Sequence, residues 1–196
     1  MNKKIILASK SGVRKKILDD NNINCEVIPA NVDEELVKES LLKEKASPEI
    51  ISKNLAELKA NKISVKMPDI FVLGADSVVD LKGELISKPK SREEAMKILQ
   101  KLNGQKHQLI SSVCISKNGA MIWNHTDSSE LKMKNLTDDE LFSYLKKIDT
   151  KTLLAYGVYQ IEADGLDLFE YVKGDKDSIM GLPVKEIINY ISQLKI

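Results

Sequence analysis

Arginine is nearly absent from this chain. Of 30 basic residues among 196, only Arg14 and Arg92 carry a guanidinium, so each arginine asks for a reason. Cysteine is also scarce. Cys25 and Cys114 stand far apart with no paired Cys or Cys/His spacing, which argues against a disulfide framework or a zinc site. His107 and His125 have no partner at metal-ligand spacing and are expected to be structural. No apolar run approaches membrane-spanning length. The run after Met1-Asn2-Lys3-Lys4 is too short for a signal peptide, so the expected location is cytoplasmic, with no membrane partner. Neither sign of charge dominates: the formal net charge is +1. No bulk field therefore advertises nucleic acid. Repeats, linkers and low-complexity stretches are missing too. With 42% hydrophobic and 30% charged residues, what remains is one compact α/β unit, residues 1–196, with a mixed sheet.

The chain is organised around residues 70–89. Ile70 to Leu73 is a short apolar run that reads as a strand buried on both faces. Gly74 and Ala75 leave room for something to approach the backbone, and Asp76 follows where that strand emerges. A second strand from Ser77 to Leu81 runs into the turn signal Lys82-Gly83. Leu85 and Ile86 then lead to Ser87-Lys88-Pro89. A carboxylate and a lysine thus sit at the two ends of one hairpin, a pairing that suits a cation and a phosphate chain. The same residues also read as a turn aspartate and a surface lysine.

Ahead of this stretch, Ile5 to Ala8 predicts a strand that breaks at Ser9-Lys10-Ser11-Gly12 and enters a helix from Val13 to Asp19. Free amides, a positive dipole end and the hydroxyls of Ser9 and Ser11 make an anion site there. Arg14 opposes that dipole unless an anion is bound; otherwise Ser11 merely caps the helix and Arg14 is solvated. Cys25 to Pro29 predicts a strand, followed by an acidic loop in which Glu34 could reach a metal or a base. Ser47-Pro48-Glu49 starts a helix with Ile51, Leu55, Leu58 and Ile63 inward and Lys59 at the stripe's edge. Capping boxes at Ser91–Glu94 and Thr137–Glu140 open two more helices, with Arg92 expected in solvent. Strands are predicted over His107–Ile115, Ala120–Asn124, Ser129–Met133, Tyr156–Ile161 and Leu168–Val172. Glu162 to Gly165 reads as a turn, and Val184, Ile187, Ile188, Ile191 and Leu194 stripe the last helix.

Four segments in order resemble the Maf family. Leu7 to Arg14 resembles its LASxSPRR pattern, and Gly74-Ala75-Asp76-Ser77 its GADT. Ser87-Lys88-Pro89 with Leu102 to His107 resembles KP and LSGxxH; Tyr159 to Glu162 with Gly181-Leu182-Pro183 completes the set. The resemblance implies an inosine-triphosphatase-like α/β fold, a twisted mixed sheet flanked by helices with two lobes around a central cleft. It implies a nucleoside triphosphate pyrophosphatase that cleaves between the α- and β-phosphates with Mg²⁺ or Mn²⁺, and that forms a homodimer. Carried over, Asp76 is the essential carboxylate, as base or metal ligand. Ser9, Ser11, Arg14, Lys59 and Lys88 hold phosphates, and Glu34 lies near the metal or base.

The chain departs from the pattern in two respects. The proline and first arginine of LASxSPRR are Gly12 and Val13 here, and the glutamine of many members is Glu162. In both respects the chain is similar to the branch proposed to act on 7-methyl-GTP, although it keeps Ser77 in a GADS motif. The other branch is proposed to act on 5-methyl-UTP, UTP and dTTP. Val13, Ser77 and Glu162 are therefore the candidate specificity positions. Two other classes compete: a non-catalytic nucleotide-responsive regulator, given the family's link to septum formation, and an aspartyl phosphatase using Asp76, whose DxD signature is absent.

Overall fold

A computed structural model describes residues 5–161 and 164–194. Among these residues, seven strands form one mixed sheet: β1 (Ile5–Leu7), β2 (Cys25–Val27), β3 (Phe71–Leu81), β4 (Glu84–Ile86), β5 (Lys106–Lys117), β6 (Ala120–Met133) and β7 (Phe169–Lys173). The order is β2-β1-β3-β5-β6-β7, with β4 paired to β3. Parallel pairing sets Ile5 opposite both Cys25 and Phe71. The β3–β4 hairpin is antiparallel, with Leu81 opposite Glu84. Its turn residues, Lys82 and Gly83, both have positive φ, as the predicted tight turn requires. Among the described residues, eight α-helices accompany the sheet: α1 (Gly12–Asp20), α2 (Glu34–Lys43), α3 (Pro48–Ser64), α4 (Arg92–Leu102), α5 (Asp138–Lys147), α6 (Thr150–Tyr156), α7 (Lys176–Ile179) and α8 (Val184–Gln193). Among the described residues, no helix is long and apolar enough to cross a membrane.

The chain divides into two compact units. The first comprises residues 1–77, 110–128 and 175–196. Its main core gathers Ile5, Leu7, Ile17, Leu18, Leu73, Ile115, Leu182 and Ile187, which fixes β1 and β3 beneath α1 and α8. The second comprises residues 78–109 and 129–174. Its core is built on Leu99, Leu102, Leu131, Met133, Leu141, Leu145 and Phe169. Cys25 and Cys114 are both buried and free.

Several elements differ from the pattern-based reading. The Gly74-Ala75 pair does not break the strand: β3 runs unbroken for 11 residues. What approaches Gly74 is α3, since a Cβ there would lie 2.2 Å from the Ala56 carbonyl oxygen and 2.7 Å from the Ala60 nitrogen. β6 is likewise one strand of 14 residues rather than two. The strand expected over Tyr156–Ile161 does not form: Tyr156 ends helix α6, and residues 157–161 are irregular. Asp149 caps its start through the Thr152 amide, and Gly157 at φ 105° ends it. Capping at both ends of α6 thus outweighs the β-propensity of Tyr156. Arg92 is not solvated. It donates to the carbonyls of Leu145 and Ile148 and to the Thr150 hydroxyl, closing the C-terminal end of α5. Nor does the Ser91 cap form a reciprocal box, because the Glu94 carboxylate accepts from the Lys90 amide instead. Thr137 and Glu140 do form one.

Candidate active site

Asp76 sits in the middle of β3, buried at 5% exposure. The strand is pinned on both sides of it. Ser52 Oγ of α3 donates to the Asp76 carbonyl at 3.1 Å. Arg14 donates to the Ala75 carbonyl at 2.9 Å and to Ser77 Oγ at 3.1 Å. The carboxylate itself is asymmetric. Oδ1 accepts from Lys59 Nζ at 2.7 Å, whereas Oδ2 is buried with no hydrogen-bond partner among the described residues. An orphaned buried carboxylate oxygen is costly to keep, and such atoms cluster where a ligand or a proton is handled.

Lys59 reaches this place because it occupies the apolar row of α3. Ile51, Leu55, Lys59 and Ile63 follow one another at four-residue spacing, and all four are buried. Leu58, expected in that stripe, is exposed instead. The Lys59 ammonium lies 2.8 Å from Glu34 Oε1 as well as against Asp76. Glu34 opens α2 rather than lying in a loop, with Asp33 as the cap. Lys59, expected on phosphates, is thus held between two carboxylates. Burial pushes the Asp76 carboxyl above its ordinary range, against the pull of Lys59 and, more weakly, of Arg14. Burial also lowers the Arg14 pKa, opposed by the fields of Asp76 and Glu34.

The start of α1 completes the site. Ser11 caps the helix by accepting from the Arg14 amide at 3.3 Å. Ser9 Oγ accepts from the Ser11 amide and from Arg14, each at 3.2 Å. Because both oxygens are occupied as acceptors, their hydroxyl protons remain available to a ligand. A side chain on Gly12 would meet nothing within 4 Å, so the missing proline leaves no packing defect. Val13 packs against the core of the first unit. Ser77 Oγ bonds Ser111 Oγ at 2.9 Å as well as Arg14.

Ser9, Ser11, Val13, Arg14, Glu34, Lys59, Asp76 and Ser77 all belong to the first unit. Lys88 belongs to the second, in the exposed loop after β4, and its assignment rests on its motif. Glu162 lies outside the described residues. Sequence reasoning missed Ser52, Ser111 and the Gly181 carbonyl, which accepts from Arg14 Nε at 2.9 Å. Ser52 left a signal as a polar residue next to the apolar row of α3, and Gly181 as part of its Gly-Leu-Pro motif.

Among the described residues no three His, Cys, Asp or Glu side chains converge as a metal cluster. Two carboxylates on one ammonium, with Asp76 Oδ2 open, still suit a hard cation of the Mg²⁺ type, which commonly takes one or two carboxylates and completes its shell with substrate phosphates.

A family model described as Maf-like protein matches residues 4–194. A protein of Pelagibacter ubique named nucleoside triphosphate pyrophosphatase is 65% identical over 195 residues, covering 100% of both chains. A Rhizobium etli protein named 7-methyl-GTP pyrophosphatase is 34% identical over 194 residues, covering 99% of this chain and 98% of its own length. A solved HAM1 protein structure from Coxiella burnetii aligns with a TM-score of 0.44 and 13% identity, over 68% of this chain and 74% of that one.

Proposed function

The chain belongs to the Maf-like family, and from that premise we propose that it hydrolyses nucleoside triphosphates to the monophosphate and pyrophosphate. The observation that supports this most is the open Oδ2 of Asp76, buried in the same unit as the hydroxyl-lined start of α1. Breaking a phosphoanhydride needs a positioned water, a proton acceptor and charge neutralisation. Asp76 takes the proton at Oδ2, and its burial makes it a stronger base than an exposed aspartate. Lys59 holds Oδ1, so the carboxylate cannot rotate away. The phosphate chain lies along the start of α1, where the Ser9 and Ser11 hydroxyls and the free amides donate to it. A divalent cation, Mg²⁺ or Mn²⁺, would be held by Glu34 beside Asp76, whose Oδ2 stays free for the proton, and would neutralise phosphate oxygens.

For the base, Glu162 favours guanine. A carboxylate presents two acceptors to the N1–H and exocyclic amine of guanine, whereas a glutamine matches uracil or thymine. N7-methylation adds positive charge and strengthens that contact, in line with the name of the Rhizobium etli relative.

The test is incubation of the pure protein with 7-methyl-GTP, GTP, UTP and dTTP and either cation, followed by identification of the products. Monophosphate with pyrophosphate supports the reading. Orthophosphate would move it to a phosphatase, and no turnover to a nucleotide-responsive regulator. Replacing Glu162 by Gln should lower guanine-type activity more than uracil-type activity, by about 1–3 kcal/mol in discrimination.

A further inference from the structure

We infer that Arg14 acts as a positioning residue, clamping the strand around Asp76, and that it does not hold the substrate's phosphates. The inference rests on the pyrophosphatase reading above, which placed Asp76 at the chemistry.

A guanidinium has five N–H donors in a planar fork. Arg14 makes four hydrogen bonds inside the protein: Nε to the Gly181 carbonyl at 2.9 Å, one terminal nitrogen to Ser9 Oγ at 3.2 Å and the Ala75 carbonyl at 2.9 Å, and the other to Ser77 Oγ at 3.1 Å. These partners come from the turn after β1, from β3 on both sides of Asp76, and from the turn before α8. None of the four is a water-facing convenience, because each ties a segment distant in sequence or the turn that leads into the same helix. A phosphate needs at least two N–H groups of the fork for bidentate binding, and this fork has one left.

Gly181 is shaped to that arrangement. Its φ of 98° is a left-handed conformation open to glycine. A Cβ there would lie 3.1 Å from Ser77 Oγ and 3.4 Å from two guanidinium nitrogens. The carbonyl that receives Arg14 Nε therefore depends on a residue without a side chain. The Ser77–Ser111 bond at 2.9 Å extends the same network into β5. Asp76 is thus bracketed at 75 and 77 by one cation that does not touch its carboxylate, leaving Oδ2 open for chemistry. The charge of Arg14 acts on Asp76 through space, and its geometry acts through the backbone.

The test compares wild type with Arg14→Lys, which keeps the charge but loses the fork, and with Ser77→Ala, which removes one anchor gently. Hydrogen exchange in the ligand-free protein is read over residues 71–81 and 177–183, alongside steady-state kinetics and pyrophosphate inhibition. A clamp predicts exchange at least about 5-fold faster in both segments for Arg14→Lys. It also predicts kcat lowered about 10-fold or more, with KM for the triphosphate and the inhibition constant of pyrophosphate within about 3-fold. Ser77→Ala should show the same pattern at smaller size. A phosphate-binding Arg14 gives the opposite: unchanged exchange, KM and inhibition constant raised together, and a silent Ser77→Ala. That result overturns the inference. The exchange measurement decides the matter even if wild type turns over no triphosphate, in which case the activity reading fails separately.

Discussion

Lys59 and Asp76 lie 17 residues apart and meet at 2.7 Å inside the first unit, with Glu34 on the same ammonium at 2.8 Å. One cation thus serves two carboxylates, one of them buried. Removing the cation leaves the carboxylates without compensation. Lys59→Met should destabilise the protein by about 2–4 kcal/mol, because breaking a buried pair strands its partner. Combining it with Asp76→Asn should cost less than the sum of the single changes, by about 1–3 kcal/mol. Urea titration of the three variants checks this. Strict additivity would mean that the pair is not coupled.

Gly74 is required by α3 rather than by a ligand. A methyl group would strike the Ala56 carbonyl at 2.2 Å, and neither backbone can yield cheaply. Gly74→Ala should therefore cost about 2 kcal/mol or more and shift the β3 segment that carries Asp76. Its melting temperature should drop along with its turnover. A stable, active variant would contradict the packing described.

Gly12 offers the reverse experiment. It is the first residue of α1, its would-be Cβ meets nothing within 4 Å, and Ser11 before it is extended at φ −69° and ψ 115°. Proline fits this position, and it restricts the unfolded chain. Gly12→Pro should stabilise by about 0.4–1 kcal/mol. Denaturant midpoints measure the gain. A loss of stability would show that the Gly12 amide is needed.

How much of this was legible beforehand depends on the kind of contact. The strand–serine–helix entry at Ser9–Arg14, the Lys82-Gly83 turn and the Thr137 cap are local, and pattern alone locates them. Asp76 was legible from its motif and its strand. Its partner was harder. Lys59 falls in the four-residue row of Ile51, Leu55 and Ile63, yet nothing in α3 itself says that the row faces β3. The solvated Arg92 expected from sequence is wrong, and the internal contacts of Arg14 are not readable from it, for the same reason: their acceptors include carbonyls of Ala75, Gly181, Leu145 and Ile148, and any residue supplies a carbonyl. Helix α6 is short, and its cap Asp149 and terminator Gly157 lie outside the aromatic and β-branched run from Tyr156 that suggests a strand.

His107 predicts an acid-labile second unit. Its Nε2 bonds the Tyr159 hydroxyl at 2.9 Å, and its Nδ1 is buried with no partner among the described residues. Burial holds its pKa down to about 4, against about 6.5 in an unfolded chain. The unfolded state therefore gains a proton first as pH falls. Stability from the neutral ring is complete above about pH 6.5, declines as pH drops and is lost below about pH 4, for at most about 3 kcal/mol. His107→Gln should flatten that decline. Unfolding of both proteins at about pH 7.5 and about pH 5 measures the difference, and parallel losses would exclude His107 as the cause.

The central claim is that the open carboxylate of Asp76 performs the hydrolysis. The direct measurement is pyrophosphate release from the preferred triphosphate by wild type and Asp76→Asn, with folding of the variant verified by circular dichroism. Asparagine keeps the size and an acceptor for Lys59 but cannot take a proton at Oδ2. The account predicts pyrophosphate and monophosphate in equal amounts from wild type, and a rate at least about 100-fold lower from the variant. A folded variant within about 10-fold of wild type would contradict it.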